Sequence, residues 1–126
     1  MATAALSYNV PKTFTIQSPA AFRKYRIFIT GNNPGPLQFG GTSHITMTAP
    51  IDGPMAGLLV YEDRALPQKL THKITSADAR KLIGTIYLPV GDLLIDSGQT
   101  VADQSAYTAI IVNHLLLKSG PNLGNL

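Results

Sequence analysis

Val101–Lys118, VADQSAYTAIIVNHLLLK, is the stretch through which the rest of the chain is read. It opens on a polar turn, Asp103-Gln104-Ser105, and runs into the apolar Tyr107-Thr108-Ala109-Ile110-Ile111-Val112. Asn113 and His114 interrupt the run, and Leu115-Leu116-Leu117 resumes it before Lys118. Aromatic and β-branched side chains suit a pleated, half-buried surface. The pattern predicts two short strands meeting at a polar corner, so that the chain bends and continues.

The same rhythm recurs upstream. Leu59, Ile86 and Ile110 lie 27 and then 24 residues apart, each in a short apolar strand. Ile45, Ile74, Leu94 and Leu116 form a second series, spaced 29, 20 and 22. Irregular periods in the twenties, with two or more short strands in each, predict an all-β parallel β-helix, a solenoid whose turns stack around an inward apolar ladder. A β-sandwich is the alternative. Against it, the links between strands lack the two-residue Asn-Gly or Asp-Gly turns of tight hairpins.

Composition agrees with a β-rich single domain. The chain has 126 residues, 44% of them apolar, with eleven Gly and nine Pro to make corners. Only 13% are charged, against about 25% in ordinary globular domains. There is no cysteine, which excludes disulfides and thiolate chemistry alike. No apolar run approaches the roughly 20 residues of a membrane span, and Met1–Ala5 has neither the basic nor the apolar region of a signal peptide.

Taken in order, residues 1–25 read as an N-terminal arm and cap, 26–119 as the solenoid and 120–126 as a polar tail. Short helical turns are expected near 18–25, where Ser18 precedes Pro19, and near 76–82, capped by Ser76. His44–Ala49 alternates as a half-buried strand. Gly57–Tyr61 reads as a strand covered on both faces, closed by the charges of Glu62-Asp63-Arg64. Leu70–Thr75 is another short strand, Ile83–Leu88 one stopped by Pro89, and Asp92–Asp96 one bracketed by Gly91 and Gly98.

Few side chains suggest chemistry. His44, His72 and His114 are isolated, without the i+2 or i+4 spacing of a metal site. Asp92 and Asp96 share one face of a strand; carboxylates about 5–10 Å apart could hydrolyse a glycoside, although these two more readily mark the solvated ends of a rung. Ser105, His114 and Asp103 contain the residue types of a triad, but no G-x-S-x-G surrounds Ser105. The glycines at 31–35 and 40–41 match neither a phosphate loop nor a dinucleotide fingerprint. Tyr61 and Tyr87 sit near equivalent points of successive repeats and could stack, with Tyr25 and Tyr107 elsewhere in the chain. Exposed, such a ladder with Asp92 and Asp96 would be a face for sugar rings or protein; buried, it is core. Arg23, Lys24 and Arg26 form a basic patch within a net charge of +3, suited to a solvated edge or, less readily, to nucleic acid.

Three segments carry a family resemblance: Met47-Thr-Ala-Pro followed by GPMAGLLVYEDR at 53–64, then Ile74-Thr-Ser-Ala-Asp-Ala-Arg-Lys-Leu-Ile-Gly-Thr-Ile-Tyr-Leu-Pro, and last Val101-Ala-Asp-Gln-Ser-Ala-Tyr-Thr-Ala-Ile-Ile-Val with Leu115–Leu123. Over roughly residues 43–123 the chain resembles the C-terminal region of TadG-related proteins of bacterial Tad/Flp pilus systems. That resemblance implies a right-handed parallel β-helix in the cell envelope or outside the cell, associated with pilus assembly or cell adhesion, and it brings no catalytic residue. The expectation is a structural protein, not an enzyme, without cofactor or metal, that forms an oligomer or contacts other envelope proteins. A carbohydrate-binding or polysaccharide-cleaving β-helix is the alternative.

Overall fold

The structure is a computed structural model that describes residues 27–32, 34–40 and 44–123, together with the backbone of three short strands before them. Among the described residues every regular element is a strand. In chain order these are β1 (Ala2–Ala4), β2 (Tyr8–Asn9), β3 (Thr13–Ile16), β4 (Ile27–Ile29), β5 (Leu37–Phe39) and β6 (His44–Thr48). They continue with β7 (Leu58–Glu62), β8 (Thr71–Ile74), β9 (Asp78–Asp96), β10 (Thr100–Val101), β11 (Thr108–Lys118) and β12 (Asn122–Leu123).

Every pairing among the described residues is parallel, and none of them forms the hairpins of a sandwich. One ladder runs Ala2, Ile27, Val60, Ile86, Ile110 across β1, β4, β7, β9 and β11. A second passes Asn9, Gln38, Lys73, Leu94, Leu116 through β2, β5, β8, β9 and β11. A third joins Ile16, Met47 and Leu82 in β3, β6 and β9. It is prolonged where Ala102 N–H donates to the Ala79 carbonyl and β10 pairs with β12. The chain visits the three ladders in the same order on each circuit, so the sheet curls on itself. Parallel strands of this kind need both a filled interior and long connections.

Ile29, Phe39, Met47, Leu82, Leu88 and Ile95, all at most 1% exposed, place the core inside the curl. Each such side chain contributes about 1.5–3 kcal/mol of burial. The expected pairing of Ile86 with Ile110 and of Leu94 with Leu116 is the observed register. Three members of the proposed series belong elsewhere: Leu59 is the extra residue of a bulge, with Val60 opposite Ile86, Ile45 sits on the third ladder against Phe14, and Ile74 pairs Ile95. Spacing alone cannot distinguish two ladders that both recur once per circuit.

Other expectations need correction. The helical turn near 76–82 is the start of β9. Ser76 Oγ does accept a bond from Asp78 N–H at 3.0 Å, as a cap would, but an extra residue follows. His44 pairs Asp78 whereas Thr46 pairs Lys81, so a bulge turns Ala79 and Leu82 both inward and imitates helical spacing. The Gly57–Tyr61 run is likewise bulged: Leu58 pairs Thr85 and Val60 pairs Ile86, so Leu59 and Val60 both enter the core. The helical turn expected near 18–25 lies outside the described residues.

Pro89 does not end a strand, because β9 runs for 19 residues through two corners. Gly84 makes the first, at φ +139°, where an added Cβ would come within 2.6 Å of Ala49 Cβ and 2.9 Å of Leu59 Cγ. Gly91 makes the second. Of the residues expected to form a tail, Asn122 and Leu123 join a ladder.

Candidate functional site

The fold sorts the candidate residues into an interior pair, an outer face and one end of the sheet. The interior pair had no sequence signal: Glu62 looked like the end of a strand and His72 like a lone histidine, yet both are 0% exposed. Glu62 is the last inward position of β7 and His72 an inward position of β8. His72 Nε2 lies 2.7 Å from Glu62 Oε2. On the other side of the ring, Leu37 N–H donates to His72 Nδ1 at 3.0 Å, which makes Nδ1 the acceptor and Nε2 the proton-bearing nitrogen.

Glu62 Oε1 accepts from Val90 N–H at 2.8 Å and Gly91 N–H at 2.7 Å. Burial alone would raise the Glu62 pKa, but the bonds from His72, Gly91 and Val90 outweigh it and hold the carboxyl below its ordinary range. Gly91 is required here, since a Cβ would sit 2.8 Å from both Glu62 Oε2 and His72 Nε2. The pair ties four strands together at one corner. Both side chains are fully buried among the described residues, so their hydrogen bonds are made within the fold.

On the outer face, Phe28, Tyr61 and Tyr87 occupy one row of the first ladder. Their ring centroids are 5.1 and 5.4 Å apart, with planes tilted 31° and 33°. Tyr61 and Tyr87 do stack, and Phe28 extends the row. Arg64 Nε donates to the Tyr87 hydroxyl at 2.6 Å, and its guanidinium lies 5.7 Å from that ring's centroid. The rings therefore spend their faces on one another, beside a shallow hollow of about 440 Å³ lined by Leu58, Tyr61, Arg64 and Tyr87. Tyr107 is 56% exposed at the edge of a second, apolar hollow that includes Ile51 and Gly84.

Asp92 and Asp96 face outward on β9, with Leu94 between them. Four residues of extended chain separate their Cα atoms by about 13 Å, beyond the spacing of a glycosidase pair. Asp92 is engaged by Lys69 Nζ at 3.2 Å and His114 Nδ1 at 3.0 Å. Partial burial opposes its ionisation, but His114 and Lys69 prevail and keep its pKa low. Asp96 accepts from Ser119 Oγ.

No triad assembles at Ser105. It is buried and accepts from Leu82 N–H at 2.7 Å. Asp103 is bound by Arg80, which lowers its pKa, and His114 is on a different strand with Asp92. Among the described residues no group of three metal-ligating side chains occurs, and no helix is long and apolar enough to cross a membrane. Arg23, Lys24, Tyr25 and Arg26 lie outside the described residues, as does the side chain of His44.

Among the described residues the sheet is open at its β11 end. β11 pairs only with β9 among the described residues, leaving eleven residues of backbone edge open. Its inward residues Leu115 and Leu117 are 42% and 50% exposed, and its outward Ile111 and Leu116 are 52% and 42% exposed. Their equivalents one circuit earlier, Leu93 and Ile95, are buried. The same side chains that form core inside the stack form an apolar floor at its end.

In comparisons with known proteins, no family model, no curated protein and no solved structure matches this chain.

Proposed function

We propose that this chain is a right-handed parallel β-helix, a solenoid, that serves as a non-catalytic structural and adhesive module through protein–protein contact and self-association. The bacterial envelope and pilus-assembly setting comes from its resemblance to TadG-related proteins. One observation carries the mode of action: the open β11 edge, with Ile111, Leu115, Leu116 and Leu117 in solvent. A long, apolar, unpaired strand is a template for another chain. Natural sheets that remain monomeric blunt such edges with charge, proline or bulges, and β11 has a single formal charge, Lys118, at its last position.

The alternative, glycan binding or cleavage on Tyr61, Tyr87, Asp92 and Asp96, has less support. Its aromatic faces are taken up by neighbouring rings and its carboxylates are too far apart and individually paired. Binding of nucleic acid through Arg23, Lys24 and Arg26 would announce itself by steep salt dependence.

The test is mass in solution by light scattering after size exclusion, for the natural chain and for Leu115→Lys and Leu117→Lys. The expected result is a defined oligomer that dissociates when either charge enters the edge. A natural chain that stays monomeric at every concentration would overturn the reading, and polysaccharide cleavage abolished by Asp92→Asn would replace it.

A further inference from the structure

The Lys69–Asp92–His114 cluster satisfies itself on the surface. The polar hollow beside Asp78, Arg80 and Gln99 is open to solvent, and Glu62–His72 is buried. The sequence of the β11 edge, by contrast, specifies a partner.

We propose that β11 pairs with β11 of a second copy of this chain, about a two-fold axis passing between Asn113 and His114. This rests on the reading of the edge as the contact surface. The register of β11 against β9 shifts between Val112 and His114, and that shift changes which residues point inward. Before the corner, Ile110 and Val112 lie opposite buried Ile86 and Leu88; after it, Leu115 and Leu117 lie opposite buried Leu93 and Ile95.

A strand laid on this edge must bend where it bends and must put inward residues opposite inward ones. In an antiparallel pair of two β11 strands, one register meets both demands. It sets Ile110 against Leu117 and Val112 against Leu115 inside. Outside, it sets Ile111 against Leu116, and at the corner Asn113 against His114. Lys118 falls opposite Ala109, so no like charges meet.

The apolar floor of each copy then covers that of the other, and polar residues meet at the corner. Eleven residues at roughly 3.3 Å each give an edge about 36 Å long. Paired antiparallel, it supplies close to ten hydrogen bonds, a typical complement for a specific interface. The contact is isologous, so it closes at a dimer; a parallel, head-to-tail stack would not close and would grow into filaments.

The chain has no cysteine of its own, so introduced thiols report cleanly. Ile111→Cys and Leu116→Cys, both at exposed positions, are purified separately, verified by circular dichroism and oxidised alone and in an equimolar mixture. Cβ atoms directly opposite across strands are about 4.5–5.5 Å apart, close to disulfide reach. The expected result is a disulfide-linked dimer at least tenfold more abundant in the mixture than in either variant alone. Should either variant misfold, Ala109→Cys with Lys118→Cys reads the same register. Oligomers without mixture-specific cross-linking, or growing filaments, would overturn the two-fold pairing and leave the edge reading standing. A natural chain that is monomeric by light scattering would overturn both.

Discussion

Glu62→Gln replaces a buried carboxylate with a group of the same shape, and the consequence can be worked from the bonds around it. The carboxylate accepts three times: from Val90 and Gly91 on Oε1 and from His72 on Oε2. A glutamine amide has one acceptor oxygen. With that oxygen toward Val90 and Gly91, its NH₂ meets the His72 Nε2–H. The imidazole cannot yield by moving its proton, because Nδ1–H would then face Leu37 N–H. Flipping the amide sets NH₂ against two backbone donors instead. One donor–donor conflict persists in every arrangement.

An orphaned buried donor costs about 1–3 kcal/mol, and the loss of charge assistance brings the total to roughly 2–4 kcal/mol. With a urea slope of about 2 kcal/mol/M, the unfolding midpoint should fall by roughly 1–2 M. The pH dependence has a definite sign. Glu62 has a folded pKa below its unfolded value of about 4.3. Its contribution is therefore complete above that value and is lost as pH falls through the folded one. The gap between natural chain and variant should be full at pH 7 and close in acid. Urea titrations at pH 7 and pH 3 measure it, and ¹⁵N NMR of His72 reads the tautomer. A gap under about 0.5 kcal/mol at pH 7, a gap that widens in acid, or a protonated Nδ1 in the neutral ring would refute the reasoning.

Gly91→Ala should destabilise by about 2 kcal/mol or more, since the new methyl overlaps Glu62 and His72; thermal unfolding gives the comparison. Tyr61→Ala removes two ring contacts and should cost about 1–3 kcal/mol beyond lost burial, whereas Tyr87→Phe, which deletes only the bond from Arg64, should leave the melting temperature nearly unchanged. Acid titration of the natural chain should reveal a loss of stability that begins only below about pH 4–5, because Glu62, Asp63, Asp92 and Asp103 all have folded pKa values lowered beneath their unfolded ones, and the unfolded chain takes up protons first as pH falls.

The strands were readable where alternation is undisturbed. Ile45 and Met47 flank polar threonines, and Leu93 and Ile95 alternate with outward Leu94, so period two alone placed them. Reading failed at bulges. An extra residue before Leu82 produced helical spacing in a strand, and another at Leu59 produced a solid apolar run in a strand with one buried face. Pro89 misled for a related reason: a proline that would break a straight ladder is accommodated at a corner.

The sequence by itself determined the class of the fold, the recurrence that brings Ile86 to Ile110 and Leu94 to Leu116, and the apolar character of β11, since all of these follow from side-chain period and composition along one stretch. Only the tertiary structure decided that Glu62 and His72 are buried partners, that Phe28 joins Tyr61 and Tyr87, and that Leu115 and Leu117 are core residues without a cover. Those facts depend on what the previous and the next circuit of the chain place alongside. Glu62 gains its hydrogen bonds from Val90 and Gly91, 28 and 29 residues away. Leu117 is exposed because no further circuit is laid over it among the described residues. A linear pattern records which way a side chain points; what it then meets is set by the register of the stack.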